Sequence, residues 1–295
     1  MKWAVVGSLG MLGKDLVSLL TEQGEQVEGF HRGNIDLSRD SSALTPIFTS
    51  FDVIVNCVAY TKVDLAEANR DEAFFANALV PSLLARIADT VGAKLIHVST
   101  DYVFDGSSTT PYSTSSPKNP QSVYGETKSV GEDLVLAFDN TKVIRTSWLY
   151  GAQGNCFPKT IARKLLAGDP LRIVDDQVGS PTHTKDLAEF ILRLGKSQAA
   201  EGIWHAVSSG STSWFGFAQE IALALDLLGP RTQGDTAPMR FYAEQLSATT
   251  TDQYLTPAKR PANSVLEPST IDGFEIPDWK WSWSEASESV LTELL

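Results

Sequence analysis

Tyr124 and Lys128 stand four residues apart in Tyr124-Gly125-Glu126-Thr127-Lys128, a run that follows the breaker-rich stretch Pro117–Ser122. At that spacing two side chains share one face of a helix. A tyrosine with its ordinary pKa near ~10 is a poor acid or base at neutral pH. An ammonium beside it favours the phenolate, so the pair can move a proton to or from a reacting oxygen. A YxxxK match alone is common and is also what an ordinary exposed helix face looks like. What raises it is Ser99-Thr100-Asp101-Tyr102-Val103-Phe104, directly after the apolar run Leu95–Val98. Hydroxyls at the C-terminal end of a parallel strand face the crevice in which α/β sheets bind ligands. Thr100 precedes Tyr124 by 24 residues, which leaves room for one loop before the helix.

A third feature belongs with these two. Gly7-Ser8-Leu9-Gly10-Met11-Leu12-Gly13 follows an apolar strand and opens a helix. A dinucleotide pyrophosphate needs a tight turn, a close backbone approach and N–H groups aimed at its oxygens, and a glycine triplet at a strand–helix junction provides them. The spacing is GxxGxxG, and such a triplet elsewhere is often only a turn. At the tip of the second strand stands Phe30-His31-Arg32, with no carboxylate to bind a ribose 2′-hydroxyl. Arg32 can pair instead with a 2′-phosphate, which favours NADPH and leaves NADH possible. Asp36-Leu37 either flanks the adenine or supplies a turn or helix cap.

The elements that must position these groups alternate. Trp3–Gly7, Gln26–Arg32, Asp52–Cys57 and Ala93–Ser99 read as strands, and Met11–Glu22 and Glu72–Val91 as helices. Right-handed crossovers then give a doubly wound parallel sheet covered on both faces. After Lys142–Tyr150 the texture changes. Helical stretches near Phe157–Leu166, Lys185–Leu194 and Trp214–Leu228 alternate with short strands at Leu171–Val174 and Ile203–Val207. Residues 1–150 are expected to form the dinucleotide-binding domain, with segments of about 175–208 returning to it. Residues 151–295 are expected to form mostly a smaller α/β substrate lobe, which Trp279, Trp281 and Trp283 pack.

Twenty-four lysines and arginines against 36 aspartates and glutamates give a formal charge of −12. A nucleic-acid partner would favour a basic surface, and no basic run occurs. The longest apolar runs, such as Trp3–Val6 and Val53–Val55, are too short to cross a bilayer. The N-terminus enters a strand directly, with no charged leader. Cys57 and Cys156 make neither a disulfide framework nor a zinc motif, so a reducing cytoplasm is expected and no metal site is assigned.

Longer strings carry a resemblance: VNCVAYTKVDLAE (Val55–Glu67), VSTDYVFDG (Val98–Gly106), VYGETKSVGE (Val123–Glu132), IRTSWLYG (Ile144–Gly151), DDQVGSPT (Asp175–Thr182) and TPAKRPANSVL (Thr256–Leu266). Over nearly its whole length the chain resembles the extended short-chain dehydrogenase/reductases, and among them the dTDP-4-dehydrorhamnose reductase family. The resemblance implies a Rossmann-like fold and reduction, by NADPH or NADH, of the C4 carbonyl of a dTDP-linked deoxyhexose on the route to cell-surface polysaccharide. It implies Thr100, Tyr124 and Lys128 as the catalytic set. Gly7, Gly10, Met11 and Leu12, with Gly13, would line the pyrophosphate, and His31, Arg32, Asp36 and Leu37 the adenosine end. Ala59, Tyr60, Thr61 and Val98, with Tyr124 and Lys128, would complete the cofactor site. Thr100, Asp101 and Tyr102 would meet the sugar beside an apolar wall from Trp148. Arg260, next to Lys259, would meet the diphosphate unless it is a salt-bridged surface arginine.

Some relatives bridge two subunits through magnesium. Asp15 stands where they would carry a glutamate, which leaves the metal, and the choice between monomer and homodimer, open. A nucleotide-sugar 4-epimerase or dehydratase is the nearest rival activity. A non-catalytic subunit like the methionine adenosyltransferase β subunit is the rival from another class.

Overall fold

The computed structural model describes residues 1–228 and 242–295. Five strands, β1 (Lys2–Val6), β2 (Gln26–Phe30), β3 (Val53–Asn56), β4 (Lys94–Thr100) and β5 (Thr141–Thr146), join Gly202–His205 in one six-stranded sheet. Every pairing in it is parallel, and the order is β2-β1-β3-β4-β5 followed by Gly202–His205. The order reverses between β1 and β3, and open α/β sheets bind ligands at such a switch point.

Covering both faces is what permits strands as uniformly apolar as β1 and β3. Helix Met11–Glu22 lays Leu12, Leu16 and Leu20 on one face, beside Leu187, Ile191 and Leu194 of helix Thr184–Lys196. The other face packs Leu44 and Phe48 of helix Ser41–Phe48, then Val80, Leu84 and Ile87.

Those last three belong to one continuous helix, Arg70–Val91. Its 22 residues meet the length and composition of a bilayer span, which no run of consecutive apolar residues suggested. Val80, Leu84 and Ile87 pack on the sheet, whereas Phe74, Phe75 and Leu79, which add to the same hydropathy, are exposed. Gly92, at φ 74°, ends the helix in the left-handed region that glycine enters without a Cβ penalty.

Two expected elements differ. The texture change expected after Lys142–Tyr150 begins earlier: β5 ends at Thr146, Trp148 adopts φ 46°, and Leu149–Tyr150 pairs with Thr182–His183, away from the main sheet. The second is the C-terminal tryptophan cluster. It lies on a helix, Trp279–Leu291, capped by the Asp278 carboxylate accepting from the Lys280 N–H. Trp279 and Trp283 enter the lobe core with Phe217, Ile221 and Leu225, but Trp281 is 54% exposed. Residues 279 and 283 share the inward face at a spacing of four, and 281 falls on the outer one.

Candidate active site

The glycine turn closes over the end of β1 at the switch point. Gly7 sits at φ 91°, and a Cβ there would stand 2.9 Å from the Cys57 carbonyl carbon at the end of the neighbouring β3. A Cβ on Gly13 would stand 2.3 Å from the Gly7 oxygen, so the first turn of the helix can pack on the loop only as glycine. Gly10 precedes the helix with no side-chain cap. A Cβ on it would meet only the Gly7 oxygen, at 3.3 Å. The unpaired N–H groups of this helix start are therefore open to an anion along a path without side chains. These residues fit a dinucleotide pyrophosphate.

Helix Val123–Val135 carries the tyrosine and lysine, and Ser122 caps it by accepting from the Gly125 N–H. Gly125 lets the helix approach the chain after β4, since a Cβ would stand 2.2 Å from the Tyr102 oxygen. This approach brings Tyr124 beside the strand end that carries Thr100, whose side chain acts to lower the phenol pKa. The Thr100 hydroxyl accepts from the Tyr102 N–H at 3.2 Å and donates to Asp101 Oδ1 at 2.9 Å. The Tyr102 ring meets that of Tyr124 edge-on, 5.5 Å between centroids. Burial raises the Tyr124 phenol above its ordinary pKa, and Asp101 and Tyr102 add to the rise while Thr100 opposes it. Burial likewise pushes the Asp101 carboxyl up to about 6, against the neighbouring hydroxyls of Ser264 and Thr100. Its Oδ2 has no hydrogen-bond partner among the described residues.

Lys128 is buried one turn further along. Its Nζ donates to the Val98 carbonyl at 2.6 Å and lies 3.4 Å from His97 Nε2. Burial lowers its pKa to about 8 while Glu132 and Cys57 act in the other direction. Besides burial, the Thr100 hydroxyl, Asp101 and Tyr102 act on Tyr124 in the free protein.

Two buried polar clusters hold this helix in place. Glu132 accepts from Arg145 through Nε at 3.0 Å and Nη2 at 2.8 Å, and from Ser99 Oγ at 2.6 Å, which joins the helix to the ends of β4 and β5. Asn77 sits in a π-turn, Phe75–Leu79, within the long helix. It accepts from the Tyr60 N–H at 2.7 Å and donates to Thr127 Oγ1 at 3.0 Å. Such turns often mark functional sites, and this one fixes the Ala59-Tyr60-Thr61 segment against the catalytic helix. Sequence reading passed over both Asn77 and Glu132, because a π-turn and a buried ion pair leave no periodic signal.

Arg260 is held at the mouth of the crevice. Its Nη2 pairs with Asp64 at 2.7 Å and its Nη1 approaches the Tyr102 hydroxyl at 3.4 Å. Its side chain is 24% exposed. Trp148 stacks on Trp214 with centroids 3.5 Å apart and planes at 6°, and Phe157 flanks the pair. Gly179 leaves the room, since a Cβ there would stand 2.5 Å from the indole. Trp214 comes from the lobe and went unassigned in the sequence.

At the adenosine end His31 and Arg32 follow β2, and Arg32 makes no hydrogen bond or ion pair among the described residues. Asp36 is exposed and accepts from the Ser38 N–H at 3.0 Å and the Ser38 hydroxyl at 2.7 Å, so it organises a turn. Leu37 packs partly on the core. Asp15 is buried, with its carboxylate accepting from the Thr184 hydroxyl. A carboxylate so enclosed does not fit a cation bridging two subunits.

A parallel sheet with a glycine turn at its switch point and a YxxxK helix at its mouth defines an oxidoreductase of the short-chain dehydrogenase/reductase type. The chain belongs to the RmlD substrate binding domain family, whose model matches residues 1–294. A dTDP-4-dehydrorhamnose reductase of Streptomyces griseus is 38% identical, over 91% of this chain and 86% of its own. A probable dTDP-4,6-dihydroxy-2-methyloxan-3-one 4-ketoreductase of Streptomyces antibioticus is 37% identical over 99% and 96%. The crystal structure of the Bacillus anthracis dTDP-4-dehydrorhamnose reductase in complex with NADP superposes with a TM-score of 0.86 at 30% identity, covering 97% of this chain and 98% of that one.

Proposed function

We propose that the chain reduces the C4 carbonyl of dTDP-4-dehydro-L-rhamnose to give dTDP-L-rhamnose, with NADPH preferred and NADH accepted, as a cytoplasmic step in the supply of sugar for cell-surface polysaccharide. The observation that carries this reading is the close approach of the helix bearing Tyr124 to the strand end bearing Thr100 and Asp101, which Gly125 permits against the Tyr102 carbonyl. Gly7, Gly10, Met11, Leu12 and Gly13 would hold the pyrophosphate, and His31, Arg32 and Leu37 the adenosine end, with Asp36 shaping that turn. Ala59, Tyr60, Thr61, Val98 and Lys128 would line the nicotinamide half. When bound, the dinucleotide supplies the hydride.

The protein's own part is proton delivery and placement. A phenol raised by burial stays protonated at neutral pH, so Tyr124 is a donor, and its proton goes to the oxygen that was the carbonyl. Thr100 shares that oxygen through its hydroxyl. Asp101 and Tyr102 would orient the sugar ring, and the Trp148–Trp214 stack would wall it. Arg260, pre-aimed by Asp64, would meet the diphosphate, for which a guanidinium fork is suited. Asp15 is assigned no part in metal binding.

The test follows NAD(P)H absorbance with dTDP-6-deoxy-L-lyxo-4-hexulose, with a second dTDP-4-keto sugar in parallel. Stoichiometric oxidation on the first sugar, faster with NADPH, is expected. Interconversion of sugars without net oxidation would make the chain an epimerase. No turnover on either sugar would remove the assignment.

A further inference from the structure

Lys142 lies near the N-terminal end of β5, the end of the sheet away from the glycine turn and Tyr124. It is only 5% exposed, yet its ammonium makes no hydrogen bond or ion pair among the described residues. Buried charges are ordinarily paired, because an unpaired one loses hydration with nothing to offset the loss.

A second lysine stands beside it. Lys142 pairs in register with Ile96 of β4, so Lys94, two residues earlier, shares its face of the sheet. Lys94 Nζ donates to the Gly195 carbonyl at 3.0 Å and the Ser197 carbonyl at 2.9 Å, where helix Thr184–Lys196 ends. An ammonium has three N–H groups, so Lys94 keeps one to give and Lys142 all of its own.

Both lysines line an open cavity of about 390 Å³ with Asn140, Ser197, Gln198 and Glu201. Glu201 Oε1 accepts from the Asn140 N–H at 2.7 Å, and its carboxylate pairs with neither lysine. Among the described residues, two cations against one carboxylate leave the cavity positive in a chain of net charge −12. Burial and then Lys94 lower the Lys142 pKa, against Glu201, as befits a cation without a counter-charge.

Free donors converging from two ammoniums suit a tetrahedral oxyanion, which can accept from both at once, and lysine meets phosphate as a point charge. The volume falls in the range of small-molecule sites, roughly 300–1,000 Å³. We propose that this cavity binds a phosphate group, free or carried on a small metabolite, through Lys142 and Lys94. It is a second ligand site, separate from the crevice of the cofactor and sugar. Lys94 begins β4 and Thr100 ends it, about 20 Å away at the rise of a parallel strand. Glu201 limits the negative charge that the site accepts.

The test is an amide ¹H–¹⁵N NMR titration of the full-length protein with inorganic phosphate, glycerol 3-phosphate and acetate, at fixed pH and with ionic strength held by sodium chloride. Saturable shifts with inorganic phosphate are expected at residues 140–142 and 197–202. Tighter binding of glycerol 3-phosphate would support the site and point to a metabolite, and tighter binding of inorganic phosphate would support it and point to the free ion. Lys142→Met keeps the buried stem and removes the cation, and should weaken phosphate at least about tenfold, the worth of a hydrogen bond to a charged group. Glu201→Gln keeps an acceptor for the Asn140 N–H and should tighten phosphate about two- to fivefold. That second readout holds even where the Lys142 variant fails to fold. No saturable shift at those residues, shifts confined to the glycine turn, acetate bound as tightly as phosphate, a folded Lys142→Met protein of unchanged affinity, or a Glu201→Gln protein that binds phosphate no tighter would each overturn the inference.

Discussion

At the scale of single residues, Tyr124 and Thr100 belong to one site while being asked for different things. Tyr124 must give up a proton, and Thr100 need only hold an oxygen near it. Tyr124→Phe keeps the ring that packs on Tyr102 and removes only the donor, so kcat should fall about 10²–10⁴-fold, the usual worth of a positioned acid. The dissociation constant for NADPH should change little, since the ring and its packing are kept. Fluorescence titration of the cofactor beside steady-state rates separates the two effects, and near-normal turnover would remove Tyr124 from the reaction. Arg32 offers the complementary case, a cation without a protein partner among the described residues. Arg32→Ala should weaken NADPH binding about tenfold or more and leave NADH binding nearly unchanged, because a charge-assisted bond to a 2′-phosphate has no counterpart on a 2′-hydroxyl. Equal loss for both cofactors would show that Arg32 does not read the ribose.

Between residues and the whole molecule lie the turns and helices that bring such groups together, and here sequence was unevenly informative. Strands and helices around the site were legible because each packs one continuous apolar face. β1 needs both sides covered, and helix Met11–Glu22 shows Leu12, Leu16 and Leu20 at a period of four. The roles of the glycines could be stated in advance as kinds of contact, but not which glycine makes which. The structure separates them: Gly13 packs on Gly7, whereas Gly10 is the open position. Gly13→Ala should therefore abolish measurable NADPH binding by prising the helix from the loop, and Gly10→Ala should weaken it less. Isothermal titration of both variants would show the order, and a reversed order would contradict the packing. Trp214, Asn77 and Arg145 were illegible for a different reason. Their partners Trp148, Tyr60 and Glu132 lie on other elements, and nothing in local spacing announces a contact made only when those elements fold together. Asn77→Ala should leave the Tyr60 N–H unpaired at a cost of about 1–3 kcal/mol, read as a lower urea midpoint. The KM for cofactor should rise as the Ala59–Thr61 segment loosens.

Over the whole molecule, burial of neutral histidines couples folding to pH. Burial holds His97 well below its ordinary pKa and lowers His183 and His205 to about 4. Unfolded imidazoles titrate near ~6.5. Between those limits the unfolded chain binds protons that the folded one refuses, so stability falls as pH drops from about 6.5 toward 4. Asp101 and Asp186 act in the opposite sense. Burial raises both above the ordinary 3.8, Asp101 to about 6, so there the folded protein takes up a proton first. Three groups against two leave a net loss, and the urea midpoint should be lower at pH 5 than at pH 7. His183 allows the effect to be isolated. Its ring stacks on Tyr150 at 5.2 Å, and its Nε2 has no hydrogen-bond partner among the described residues. His183→Phe keeps a stacking ring and removes the titration, so stability at pH 7 should be nearly unchanged. The slope of unfolding free energy between pH 6 and 5 should shrink by one proton's worth, about 1.4 kcal/mol per pH unit at most. An unchanged slope in that variant would mean that His183 is protonated in the folded protein, and that the acid sensitivity resides in the other two rings.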